Sequence, residues 1–193
     1  EAKLKLEAEH FANEYHIQVE EYVNFGTVTD IIKYKAADIS ADLVVMGMKN
    51  TAKDKLFGSN TTDFIRKAKL PLLIIPQDAR FNTIDHITFA ADFDSTKETA
   101  SFDLVEDIAS LFDAQIQVIH VQKEEDLMST VEAVGKIRTE VSFSKFNHNF
   151  HTIENEDMEK GILNFIEEQP SNMLVMEANP QNQFKRKLWK LKS

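Results

Sequence analysis

The chain has 193 residues, of which 42% are hydrophobic and 28% are charged, and its formal net charge is −10. This composition is typical of a globular protein with enough apolar side chains for a core, and the negative charge argues against nucleic acid as a partner. The lack of cysteine excludes disulfides, thiolate chemistry and cysteine-ligated zinc. The longest apolar run, residues 70–76, is too short to cross a membrane, so we expect a cytoplasmic protein without a membrane partner.

The first 76 residues predict helices alternating with strands. Apolar residues at helical spacing predict a helix over residues 2–15, and a short strand is predicted at Ile17–Val23. Thr27 is a candidate N-cap for a second helix, which carries Ile31, Ile32, Ala36 and Ile39 on its buried side. The apolar runs 42–46 and 72–75 predict strands covered on both faces, and a helix is expected between them from residue 59 to residue 69.

Residues 77–84 are polar and aperiodic, and they predict a linker. After it come a strand at His86–Ala91, a capping box at Ser95–Glu98 and a long helix. Further elements are predicted by the same periodicities: a strand at 115–121, a mostly helical stretch at 124–146, a strand at 148–153, a helix at 157–168 and a strand at 173–176.

This alternation of strands and helices predicts an α/β fold with a doubly wound parallel sheet. A shift of 130 positions places residues 32–46 on residues 162–176 without a gap. The apolar positions then coincide, so a duplicated domain is expected. The two stretches diverge immediately afterwards, because Gly47 falls on Glu177.

A candidate anion site follows the predicted strand that ends at Met46. Gly47 follows the strand directly, and Gly58 precedes three hydroxyl residues, Ser59, Thr61 and Thr62, at the start of a helix. Glycine allows the backbone to turn sharply and to approach a ligand closely, so a backbone turn is expected at Gly47. A helix N-terminus attracts phosphate through its unpaired N–H groups and its dipole. The alternative is that Gly58 is a plain turn and Ser59 an ordinary N-cap.

Other candidate chemistry is weaker. His148 and His151 lie three apart on a predicted strand and should point to opposite faces, and His10 and His16 have no carboxylate at ligand spacing, so no metal site is predicted. No Gly-x-Ser-x-Gly turn or triad is present, so we do not expect an enzyme. The basic cluster at 185–192 is interpreted as the solvated face of an amphipathic helix.

The stretch Asp42-Leu-Val-Val-Met-Gly47, with Gly58-Ser59-Asn60-Thr61 and Leu70-Pro-Leu-Leu-Ile-Ile-Pro76, resembles the C-terminal half of a universal stress protein domain. Ile87-Thr-Phe-Ala-Ala-Asp92 resembles the first strand of a second such domain. The resemblance implies an adenine-nucleotide α-hydrolase-like fold with strand order 3-2-1-4-5. It also implies that ATP or a related adenine nucleotide binds, with accompanying Mg²⁺, at Gly47, Gly58, Ser59, Asn60, Thr61 and Asp92.

The resemblance implies two tandem copies, residues 1–78 and 84–193, each incomplete, and we therefore expect a part of a longer tandem protein. The first copy is expected to bind nucleotide and the second to be degenerate. Pairing of the copies, or of two chains, is expected through the strand Leu72–Ile75. A circular arrangement, in which residues 84–121 complete the sheet of the first copy and bring Asp92 to the Gly58-Ser59 loop, is the alternative topology.

The alternative function is a stress-associated interaction or dimerisation module that works without a nucleotide. Asn50 stands where the family's middle glycine belongs, and only seven residues separate it from Gly58. Both features favour this alternative.

Overall fold

The structure, a computed structural model, describes residues 2–48, 59–67, 70–93, 100–123 and 128–176. The described residues form six helices and six strands. In chain order these are α1 (Ala2–Tyr15), α2 (Val28–Asp38), β1 (Val44–Met48), α3 (Ser59–Lys67), β2 (Leu72–Pro76), β3 (His86–Ala90), α4 (Ala100–Phe112), β4 (Gln115–Gln122), α5 (Thr130–Phe143), β5 (His148–Glu154), α6 (Met158–Glu168) and β6 (Met173–Met176). The α/β alternation predicted from the sequence is confirmed.

The first sheet consists of β1 and β2, which pair in parallel from Val44↔Leu72 to Met48↔Pro76. Both strands are apolar, yet Val45 is 58% exposed and Ile75 is 39% exposed. The prediction that these strands are covered on both faces is therefore wrong for the described part of the chain. Two strands cannot build a layer wide enough for flanking helices to cover both faces.

The predicted strand at Ile17–Val23 is also wrong. The residues between α1 and α2 belong to no strand, and Ile17 and Val23 are more than half exposed. A strand forms only where a neighbour pairs its N–H and C=O groups, whatever its apolar content. No strand among the described residues lies beside this segment.

The second sheet has four parallel strands in the order β5-β4-β3-β6. Numbered within residues 86–176, this is the order 3-2-1-4, as expected for the doubly wound fold. Because β3 pairs with β4 on one side and with β6 on the other, it cannot complete the first sheet. The circular alternative is therefore wrong.

The core lies on both faces of the second sheet. On one face, Ile87, Phe89, Ile116 and Val118 pack with α4 and α5. The opposite face carries a smaller cluster of Ala90, Ile119 and Ile162, and Ile162 belongs to α6. Helices on both faces of a parallel sheet make this an α/β doubly wound fold.

Side-chain caps define where three of the helices begin. Thr27 Oγ1 accepts from the Asp30 N–H, which confirms Thr27 as the N-cap of α2. Ser129 and Glu132 form a capping box, so α5 starts at residue 130 rather than at residue 124. Asp157 caps α6 by accepting from Glu159 N at 3.0 Å and Lys160 N at 3.4 Å. The predicted capping box at Ser95–Glu98 lies outside the described residues.

Within the described ranges, no helix combines the length and the apolar character needed to cross a membrane.

Candidate functional site

Gly47 lies inside β1, next to the last residue of the strand, and opposite Ile75 of β2. The expected backbone turn at Gly47 is wrong, because the pairing continues to Met48↔Pro76 and keeps the strand extended. Gly47 is exposed, and a Cβ added there would meet no atom within 4 Å. Among the described residues, the space beside Gly47 is therefore open, and Gly47 lies near the carboxyl end of β1, where ligands of open α/β sheets bind.

The helix expected near residue 59 is confirmed, since α3 begins at Ser59 and runs to Lys67. Ser59, Asn60 and Thr61 form its first turn, which contains no carboxylate. The positive end of the helix dipole is therefore not offset by an acidic side chain of that turn. Thr61 is 7% exposed and Phe64 is fully buried, so these two residues mark the inward side of α3. Gly58 lies outside the described residues.

Asp63 lies in the second turn of α3 and pairs with basic side chains of the last turn. Its carboxylate accepts from Lys67 Nζ at 2.9 Å and from Arg66 at 3.4 Å. The hydrogen bond from Lys67, and after it one from Thr29 of α2, hold the pKa of Asp63 below its ordinary value. The Thr29 contact joins α3 to α2.

Asp92 follows β3 at the carboxyl edge of the second sheet and is half-buried. It lines a small cavity together with Ala90, Ile119, His120, Met158 and Ile162. The cavity volume is about 20 Å³, which is room for about one water molecule. Gly47 and Asp92 thus lie at the carboxyl ends of strands in two different sheets.

The protein's own side chains connect the elements beside Asp92. The His120 ring stacks on Phe93 at a centroid distance of 4.5 Å, and its Nδ1 donates to the Ala91 carbonyl at 3.2 Å. His120 Nε2 lies 3.8 Å from Glu132 Oε1, while Glu132 Oε2 accepts from the Ser129 N–H at 2.6 Å. These contacts join β3, β4 and the start of α5.

Sequence reasoning did not single out His120, Glu132 or Phe93. The signal that could have identified His120 was its position near the end of β4, opposite Ala91, which directly follows β3. Its contact with Glu132 depends on how α5 lies on the sheet, which the sequence pattern does not show.

The histidines pack against aromatic rings. His148 lies against Phe150 at 5.7 Å, and His151 lies against Phe165 of α6 at 4.9 Å. Phe150 and Phe165 belong to the cores on opposite faces of the sheet, so the prediction that the two histidines point apart is confirmed. Among the described residues, no group of three or more His, Asp or Glu side chains could hold a metal ion.

The predicted internal similarity extends to helix bounds. α6 begins and ends 130 residues after α2, and the caps Thr27 and Asp157 keep the same offset. The chemistry of the two caps differs, because threonine is neutral and aspartate carries a charge.

The first part of the chain is similar to a known protein family. Residues 1–76 match the model of the universal stress protein family. Universal stress protein G of Shigella flexneri is 34% identical over 76 residues, which are 39% of this chain and 53% of that protein. The chain thus spans about half the length of the curated relatives it matches.

Solved structures resemble nearly the whole chain. A universal stress protein from Archaeoglobus fulgidus aligns with 97% of this chain and 70% of its own, with a TM-score of 0.68 at 18% identity. A protein of unknown function from Pseudomonas aeruginosa PAO1 aligns with 92% of this chain and 67% of its own, with a TM-score of 0.67 at 18% identity. At this identity the likeness shows the fold. Residues 1–76 are thus similar in sequence to the universal stress protein family, and nearly the whole chain has the fold of these solved structures.

Proposed function

We propose that the chain is a non-catalytic, cytoplasmic stress-response protein that binds ATP or a related adenine nucleotide at the first sheet. The similarity of residues 1–76 to the universal stress protein family supports the stress-response role. In this proposal residues 1–78 and 84–193 are two tandem copies, and the second copy is degenerate. The shared 130-residue offset of α2 and α6 and of their caps supports the duplication.

The observation that supports the nucleotide proposal is a difference between the two sheets at the edge where the carboxyl ends of their strands lie. Within the described ranges nothing lies within 4 Å of a Cβ added at Gly47, and α3 begins without a carboxylate in its first turn. In the second copy Glu177 replaces this glycine in sequence, and α6, the counterpart of α2, is capped by the carboxylate of Asp157 where α2 has the neutral Thr27. A polyanion therefore meets a favourable dipole at the first edge and a negative charge at the second.

The binding residues follow from this placement. The phosphates would lie on the backbone amides of Gly58, Ser59, Asn60 and Thr61, with Gly47 leaving room for the ligand, and Mg²⁺ would accompany the phosphates. Asp92 lines a cavity with room for about one water molecule, so the second copy would keep a reduced version of the site. Binding would order the loop and favour packing of the copies.

Pairing of the copies, or of two chains, is proposed through the strand segment Leu72–Ile75 of β2. Among the described residues β2 has β1 as its sole strand neighbour, and Ile75 is 39% exposed. An unpaired apolar edge of this kind is a template for a further strand.

A second candidate function is an interaction module that needs no nucleotide. The internal contacts of His120, Phe93 and Glu132 beside Asp92 favour it, as does Asn50 in place of the family's glycine. In that case the surface of the protein, rather than a pocket, would carry the function.

Calorimetric titration of the full-length protein with Mg-ATP separates the two candidates. We expect saturable binding that weakens at least about tenfold in Gly58→Glu, because the new carboxylate repels phosphate and blocks close approach. The matched control is Gln18→Glu, which adds the same charge at an exposed position far along the chain from the loop. Equal affinity of Gly58→Glu and Gln18→Glu, or no binding by the wild type, would support the nucleotide-independent module.

A further inference from the structure

Helix α5 carries an apolar face that points away from its own sheet. Its inward side is established by buried Thr139 and Phe143, and by Gly135, which lies against the Phe93 backbone. At 100° per residue, Val134, Ile137 and Val141 lie on the opposite side. Their exposed fractions are 52%, 60% and 68%.

This face differs from an ordinary solvated helix surface. A surface helix places charged residues opposite its buried side. On a helical wheel of α5 the charged residues Arg138 and Glu140 lie about 70° and about 90° from the apolar centre, on opposite sides, so they flank the face instead of forming it. An exposed apolar stripe between charged rims marks an interaction surface.

We propose that this face is a self-association surface, on which α5 packs antiparallel against α5 of a second copy of the chain. The reason is the symmetry of the face about Ile137. Thr130 and Ser144 lie seven residues before and after it, and Val134 and Val141 lie three before and four after. A twofold interface requires a self-complementary patch, and here valine meets valine and hydroxyl meets hydroxyl when one helix is reversed.

The association is weak. α5 has 14 residues, and a single pair of such helices falls at the low end of specific interfaces, below about 1,200 Å². The net charge of −10 also opposes association of two copies, so added salt strengthens the dimer by screening that repulsion. The proposal is independent of nucleotide binding and of the β2 edge.

Disulfide trapping tests the proposal in the full chain, which contains no cysteine of its own. Ile137→Cys lies on the twofold axis and should form a covalent dimer under mild oxidation at least about tenfold faster than Leu111→Cys, a control on α4 that is 76% exposed. Val134→Cys alone should form a covalent dimer slowly. A mixture of Val134→Cys and Val141→Cys should form mixed dimers, because these two positions face each other only in the antiparallel arrangement.

Sedimentation equilibrium provides the second readout. The wild type should show concentration-dependent association that strengthens with salt. Ile137→Glu should remove the part of this association that runs through α5, with an unchanged melting curve, since the side chain is exposed. Equal trapping rates for Ile137→Cys and Leu111→Cys, or fast trapping of Val134→Cys by itself, would overturn the proposal.

Discussion

At the scale of single residues, Gly135 shows how tertiary packing can reverse a local preference. Glycine in mid-helix costs roughly 1 kcal/mol relative to alanine, so the sequence suggests a weak point in α5. In the structure a Cβ at this position would lie 2.3 Å from the Phe93 carbonyl oxygen. Gly135 thus allows α5 to approach the end of β3.

We predict that Gly135→Ala destabilises the protein by about 1–3 kcal/mol despite its better helix propensity, because α5 must move off Phe93. Urea unfolding followed by circular dichroism measures this change. Gly47→Ala is the matched control, since its Cβ meets nothing within 4 Å, and it should stay within about 0.5 kcal/mol of the wild type. Stabilisation by Gly135→Ala would contradict the close approach.

Asp63 gives a pH dependence whose sign follows from its lowered pKa. A carboxyl group with a folded-state pKa below its ordinary value of 3.8 stabilises the fold above that value. The contribution is lost as the pH falls through the lowered folded-state pKa. At neutral pH the contribution is fully present.

We therefore predict that Asp63→Asn lowers the melting temperature at pH 7. The difference in melting temperature between the variant and the wild type should narrow as the pH falls below about 4. Thermal melts across pH 2–7 measure both. A gap that is constant over this range would show that the carboxylate charge has no part in the contact with Lys67 and Thr29. Asp38→Asn serves as the control, because its carboxylate accepts from Lys35 of the same helix at the exposed surface.

At the scale of elements, caps and periodicity account for most boundaries. The helix at 2–15 agrees with α1 residue for residue, and α2 begins directly after the predicted cap Thr27. The stretch 124–146 was predicted as mostly helical, but α5 covers residues 130–143 because the capping box at Ser129 starts it.

We predict that Ser129→Ala costs about 1 kcal/mol, because the Glu132 N–H loses its partner at the start of α5. The readout is the urea midpoint at constant m-value. Ser144→Ala is the control at the other end of α5, where the hydroxyl donates locally to the Val141 carbonyl, and it should change stability by less than about 0.5 kcal/mol. A larger loss in Ser144→Ala than in Ser129→Ala would contradict this account.

At the scale of the whole molecule, burial is uneven. The fully buried large side chains are concentrated in β3, β4, α5 and α6, whereas Phe64 is the one such aromatic residue before residue 77 in the described part of the chain. Backbone hydrogen bonds in a poorly covered two-stranded sheet open more easily than those of a packed four-stranded sheet.

We predict that amide hydrogens of β1 and β2 exchange at least about a hundredfold faster than those of β3 and β4 in the 193-residue chain. Hydrogen exchange with mass spectrometry measures this directly. Adding Mg-ATP should slow exchange in α3 if the proposed site is right, with the central residues of β4 as the unaffected reference. Equal protection of both sheets would show that further contacts cover the first sheet.

The sequence by itself determined most of the element types, the parallel α/β class, the similarity of residues 1–76 to the universal stress protein family and the start of α3. These follow from local periodicity, capping residues and short motifs, which act within a few residues of each other. It did not determine whether residues 17–23 form a strand, because pairing needs a neighbour that no local pattern supplies.

Only the tertiary structure decided that β3 belongs with β4 and β6, that Gly47 sits in an extended strand, and that His120, Phe93 and Glu132 meet beside Asp92. Each of these depends on contacts between residues far apart in the chain. Such contacts are set by how the apolar faces of whole sheets and helices pack, and a single sequence pattern does not encode that choice locally.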